Sequence, residues 1–100
     1  MFQQINSLNA LWKAVKPGGH YFCEDLQTSL LPTFGGDPES TQGDPARDTM
    51  LKMIYRLIDD LMAEGEKAEG GRHPELSSSM RSIDCMKEVC VFTKKEELAA

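Results

Sequence analysis

The sequence predicts an α/β chain of helix, strand, long loop, helix and terminal β-hairpin. Three observations carry that expectation. Apolar residues at helical spacing over 3–15 stop at "KPGG" and give way to the aromatic run "HYFCEDL". A second helical stripe runs from Met50 to Met62. Two short β-branched runs, "MRSIDCM" and "VCVFTKK", close the chain.

In the first helix Ile5, Leu8, Leu11, Trp12 and Val15 share one face, the spacing an amphipathic helix requires. Pro17 cannot continue it, and Gly18-Gly19 allow the left-handed turn into a strand. "HYFC" is short, aromatic and apolar, which predicts a buried strand over His20–Cys23. From Gln27 to Asp48 periodicity disappears, and "FGGDPESTQGDPARD" reads as a long surface loop. A loop of this length in a small domain is commonly a lid, a binding loop or disordered.

Met50, Met53, Ile54, Leu57, Ile58, Leu61 and Met62 then recur at i, i+3, i+4, i+7 and i+8. Asp48 is the expected N-cap and Gly65 the expected terminator. Such a stripe is a core face before it is a partner groove. "EKAEGGRHPELSS" is a second polar connector, in which His73 is expected to be solvated. Lys87-Glu88 suits the tight turn of the last hairpin, and the tail "KKEELAA" is expected to fray. One hundred residues without repeat or composition break make a single domain over 1–100. This order fits the second half of an α/β sheet, which would leave a strand edge uncovered and so favour self-association through that edge.

Composition narrows the function. The formal charge is −5, and Lys94-Lys95 is followed at once by Glu96-Glu97. No basic footprint for nucleic acid exists. No apolar run is long enough to span a bilayer, and "MFQQINSL" is not a secretory signal. Cys23, Cys85 and Cys90 are odd in number and lack C-x-x-C spacing, so they are expected as free, buried thiols in a reducing, cytoplasmic setting. Cys23, beside two carboxylates, should have its thiol pKa pushed up and is no nucleophile.

Glu24 and Asp25 stand directly after the apolar strand, where open α/β sheets gather their working groups. Mg²⁺ binds through one or two carboxylates plus waters. On spacing alone, a strand ending at solvent with Asp25 opening a turn accounts for the pair better. His20 sits at the opposite end of the strand. Thr28 and Ser29 carry hydroxyls that suit a ligand or a local backbone bond equally. No serine stands on a nucleophile elbow, and Gly18-Gly19 precede the strand, so they are no nucleotide fingerprint.

"LWKAVKPGGHYFCEDLQTS" with the following "FGGD" resembles the fifth-strand region of class I S-adenosylmethionine-dependent methyltransferases. Within them it is similar to the metal-dependent macrolide O-methyltransferases and related cephalosporin-biosynthesis proteins. The "KPGG" turn is common in that class, and "EDLQTS" is the more specific part. The resemblance implies the C-terminal half of a Rossmann-like catalytic domain, from the fifth strand to the last hairpin. It implies Mg²⁺ ligands at Glu24 and Asp25, and acceptor contacts at Gln27, Thr28 and Ser29. It also implies S-adenosylmethionine as methyl donor and a small-molecule acceptor. The family commonly has an aromatic residue after "TS", where this chain has Leu30. Its glycine-rich cofactor loop and "DDGxH" segment have no counterpart here and would precede Met1. The chain alone is therefore expected to be inactive. A non-catalytic remnant or interaction module is the alternative, and another Rossmann-like enzyme with a structural acid pair is a third.

Overall fold

The computed structural model of the chain describes residues 2–63 and 73–96. Helix α1 (Phe2–Leu11) leads through a single 3₁₀ turn, Trp12–Ala14, into strand β1 (His20–Cys23). Helix α2 (Met50–Met62) and the short α3 (Pro74–Ser77) precede strands β2 (Met80–Met86) and β3 (Val89–Lys94). The sheet order is β1-β3-β2, antiparallel throughout. Opposed pairs include Tyr21 with Phe92 and Ile83 with Phe92. The late hairpin therefore docks against the early strand, as a helix–strand–helix–hairpin order suggests.

One core forms where α1 and α2 pack on a single face of the sheet. Leu8, Trp12, Met53, Leu57, Met80 and Phe92 are all buried there. The α2 stripe holds at Met50, Met53, Ile54 and Leu57, with Ile58 and Leu61 partly buried, but Met62 is 76 % exposed. Leu11 likewise faces solvent at 53 %. Each is the last residue of its helix. The α2 N-cap is Thr49 and not Asp48: its Oγ1 accepts from the Lys52 N–H at 3.1 Å. Asp48 instead accepts from the Thr49 N–H and grips Arg56 at 3.1 and 3.2 Å. The expected terminator, Gly65, lies outside the described residues.

β1 is less buried than its composition suggests. Only Cys23 is covered, and Phe22 is 63 % exposed, because β1 is an edge strand with its alternate side chains turned away from the helices. The turn before it is as expected, with Gly18 at φ +79°. Its N–H meets the Lys94 carbonyl at 3.2 Å.

Lys94 departs from expectation. It is 5 % exposed, and its Nζ donates to the Trp12 and Val15 carbonyls at 2.9 and 3.0 Å. The ammonium also lies 5.1 Å from the centre of the Trp12 ring. A cation at a helix C-terminus satisfies carbonyls that the helix itself leaves open. Lys94 thus welds the last strand to the end of the first helical segment, and the strand extends into what the sequence suggests is a frayed tail.

The long segment 24–49 is ordered around Asp37, which is 3 % exposed. Its carboxylate accepts from the Glu39 and Asp44 N–H groups at 3.0 and 2.9 Å and pairs with Lys52 Nζ at 3.0 Å. The Lys52 hydrogen bond, followed by the bond from Glu39 N–H, holds the Asp37 pKa below its ordinary value of 3.8. A depressed carboxyl pKa means that the folded state binds the proton less readily than the unfolded one. Its stabilisation is therefore full above the unfolded value and is lost as pH falls through the folded value. Amide exchange in 37–47 should accelerate below pH 3.8 in the native chain, and Asp37→Asn should show that fast exchange already at neutral pH. Identical exchange in the two proteins at pH 7 would remove Asp37 from this role.

Candidate metal and acceptor site

The chain leaves β1 through Glu24 and Asp25, both exposed. Asp25 adopts the left-handed conformation, φ 59°, ψ 37°, which aspartate tolerates better than most residues. That turn of the backbone ends the strand and starts a 3₁₀ segment, Leu26–Leu30. The Asp25 carbonyl accepts from Thr28 N–H at 3.1 Å and from Thr28 Oγ1 at 2.8 Å. The Glu24 carbonyl accepts from Gln4 Nε2 of α1 at 2.7 Å, and Leu26 N–H donates to the Glu88 carbonyl at 3.0 Å. The pair is thus fixed by its backbone from three sides, while its carboxylates stay in solvent.

Glu24 and Asp25 line one open hollow of about 370 Å³ with Phe22, Lys87, Glu88 and Val89. Two carboxylates there suit a hard cation that keeps most of its waters. Among the described residues no three His, Cys, Asp or Glu side chains converge as a ligand set. His20 is at the far end of β1, its Nδ1 on Thr93 Oγ1 at 2.9 Å.

The three acceptor candidates separate. Thr28 spends its hydroxyl on the Asp25 carbonyl. Ser29 is 1 % exposed, and its Oγ accepts from Leu51 N–H at 3.2 Å, anchoring the start of α2. Gly36 packs against this same stretch so closely that a Cβ would fall 2.4 Å from the Thr28 carbonyl oxygen. Gln27 instead borders a cavity of about 350 Å³ with Leu26, Leu30, Ile54, Tyr55 and Met86. Its Oε1 is buried without a hydrogen-bond partner. Sequence reasoning missed this cavity, because it forms only where the loop, α2 and the hairpin tip meet.

Two further expectations are corrected. Cys85 and Cys90 form a disulfide, with Cα atoms 4.0 Å apart, and only Cys23 is free. The spacing contained the signal: a two-residue turn at Lys87-Glu88 puts positions 85 and 90 opposite one another. The cysteine count therefore no longer argues for a reducing compartment. His73 is partly buried, accepting at Nε2 from Arg56 Nε at 3.2 Å. Burial first, then the Arg56 guanidinium, push its pKa below the usual histidine value. The expected rise at Cys23 is present, to about 11, with burial the larger cause and Asp25 the smaller.

No model of a known protein family matches the chain. Over 68 residues it is 38 % identical to demethylmacrocin O-methyltransferase of Streptomyces fradiae, covering 68 % of this chain and 16 % of that protein. Over 70 residues it is 36 % identical to mycinamicin VI 2''-O-methyltransferase of Micromonospora griseorubida, with the same coverage. Among solved structures it matches MycE methyltransferase from the mycinamycin biosynthetic pathway, in complex with Mg and SAH. The TM-score there is 0.69 at 26 % identity, over 91 % of this chain and 21 % of that one. The MycE complex with Mg, SAH and mycinamycin VI gives 0.69 at 25 % identity, over 91 % and 22 %. No helix among the described residues is long and apolar enough to cross a membrane. In sequence and in fold the chain is a relative of the macrolide O-methyltransferases, and it spans 16 % of the length of the curated relatives it matches.

Proposed function

We propose that this chain supplies the cation-holding acids and the acceptor-side loop of an S-adenosylmethionine-dependent O-methyltransferase acting on a small molecule of the macrolide kind. The observation that carries the reading is the placement of Glu24 and Asp25: adjacent, exposed, just past the carboxyl end of β1, and open to one hollow. Their resemblance to metal ligands and the Mg in the MycE complexes support it. A divalent cation held there favours the ionised form of an acceptor hydroxyl. Glu24 and Asp25 hold the cation, Thr28 fixes the Asp25 backbone, and Gln27 offers an unpaired acceptor atom toward the substrate side. Ser29 serves from behind, by securing α2. No glycine-rich loop follows a strand in this sequence, so the methyl donor has no cradle here and the chain alone transfers no methyl group.

Mn²⁺ is a direct probe on the chain itself. Added in small amounts, it should broaden the amide signals of Glu24, Asp25 and Glu88 before those of other acids, and Glu24→Gln with Asp25→Asn should abolish that order. Uniform broadening over the acidic surface would mean the pair merely ends a strand.

One observation favours a second reading, an interaction module. Phe22, Phe34, Tyr55 and Met86 are each about half exposed or more, and among the described residues β1 and β2 each keep one edge without a strand partner. Open edges and apolar patches draw other chains. Sedimentation velocity should show association that grows with concentration, and Phe22→Glu should weaken it. A monomer at every concentration would count against this reading.

A further inference from the structure

The register of the sheet sets three cysteines in one row. Cys23 of β1 is opposed to Cys90 of β3, and the same Cys90 is opposed to Cys85 of β2. Opposed residues on neighbouring strands send their side chains to the same face. The three sulfurs thus stand side by side across the full width of the sheet, with Cys90 in the middle. Cys23 and Cys90 are 5 % and 2 % exposed, and Cys85, on the outer strand, is exposed. The bridge joins Cys85 and Cys90, leaving the thiol on Cys23.

We propose that this row is a thiol–disulfide exchange site, in which the Cys23 sulfur attacks Cys90 and releases Cys85. The thiolate of Cys23 forms the new bond to Cys90 Sγ, and the Cys90–Cys85 bond breaks. The electron pair leaves on Cys85, which takes up a proton equivalent to the one Cys23 gave away. One disulfide and one thiol stand on each side, so no oxidant or reductant is needed. Cys85 and Cys90 are already bridged, and backbone spacing permits the second pairing: opposed Cα atoms on antiparallel strands such as Cys23 and Cys90 lie about 4.5–5.5 Å apart, within the range of about 4.4–6.8 Å usual for disulfides. The middle position of Cys90 sets the direction, since Cys85 leaves on the side away from the incoming sulfur.

Exchange changes two things. The free thiol moves from the core to the exposed edge of the sheet, where it meets other thiols and disulfides. The covalent tie moves from the hairpin tip to β1, one residue before Glu24, so the strand carrying the acid pair becomes bound to β3. Burial of the Cys23 sulfur, at 5 % exposure, limits its access to solvent reagents and makes the exchange slow and hence trappable.

Native oxidised chain is incubated with N-ethylmaleimide and mapped by mass spectrometry without reduction. The expected product carries the label on Cys85 and a Cys23–Cys90 disulfide, with at least about ten-fold more label on Cys85 than on Cys23. Cys23→Ser, which lacks the attacking sulfur, should stay unlabelled. Label on Cys23 with the Cys85–Cys90 bridge intact overturns the proposal, as does no labelling over the time in which the urea-unfolded chain reacts fully. Cys85→Ser, at an exposed position, removes the native bridge and provides an independent arm. Treated with oxidised glutathione, it should convert its two thiols into a Cys23–Cys90 disulfide, and two persisting thiols or glutathione adducts alone overturn the assignment.

Discussion

Phe92→Ala is expected to lower the unfolding free energy by about 3–5 kcal/mol, the usual cost of emptying a buried phenylalanine site. Phe92 is 0 % exposed on the central strand, opposed to Tyr21 on one side and Ile83 on the other. Its ring centre lies 6.3 Å from that of Tyr21. The cavity left behind would sit between α2 and the middle of a three-stranded sheet, where no neighbour can collapse into it without breaking strand pairing. Domains of this size have roughly 5–15 kcal/mol in total, so the variant should be close to unfolding at room temperature. Phe22→Ala is the control, since Phe22 is 63 % exposed on the neighbouring strand; surface changes of this kind stay within about 0.5 kcal/mol. Urea unfolding of both proteins decides the matter, and equal midpoints would show that the core is not centred on β3.

The contrast between those two phenylalanines marks how far the sequence could be read. "HYFC" and "VCVF" look alike as strings, and both form strands as expected. Which of them is central depends on pairing order, and that order is set by contacts far apart in sequence. The α2 stripe and the Lys87-Glu88 turn were legible because their signals are local: one helical period, one two-residue connection. The acid pair was legible as a location, since β1 ends where its apolar run ends.

Features fixed by distant partners were not legible. Lys94 reads as half of a cancelled charge pair until the Trp12 and Val15 carbonyls arrive from 82 and 79 residues away. Ser29 reads as a loop hydroxyl until α2 presents the Leu51 N–H 22 residues on. Asp37 looks like one turn acid among several, yet Lys52 from α2 makes it the centre of the loop. His73 looks solvated because its partner Arg56 is on the other side of a polar connector. In each case a polar side chain is buried by satisfying groups that no local pattern announces. The Cys85–Cys90 bridge is the exception: its register follows from the turn, and counting outward from Lys87-Glu88 would have found it.

The largest functional effect is expected at Glu24 and Asp25, measured in a hybrid enzyme. A hybrid in which residues 1–96 replace the matching segment of demethylmacrocin O-methyltransferase would join the pair to a full cofactor site. There, Asp25→Asn or Glu24→Gln should lower Mg²⁺-dependent methyl transfer by about 100-fold or more. Altering groups that merely orient a metal ligand already costs about 10–100-fold, and a ligand itself should cost no less. On the proposed reading, binding of S-adenosylmethionine should stay largely intact in both variants, because the methyl donor is held by parts of the hybrid outside this chain. Raising the Mg²⁺ concentration should restore part of the lost rate, since the amide variants keep an oxygen at the same place but lose the charge. Partial rescue separates a metal ligand from a residue that only ends a strand: a merely structural acid would change stability without any dependence on cation concentration. Unchanged turnover in both variants would return the pair to the plainer role of carrying β1 into solvent.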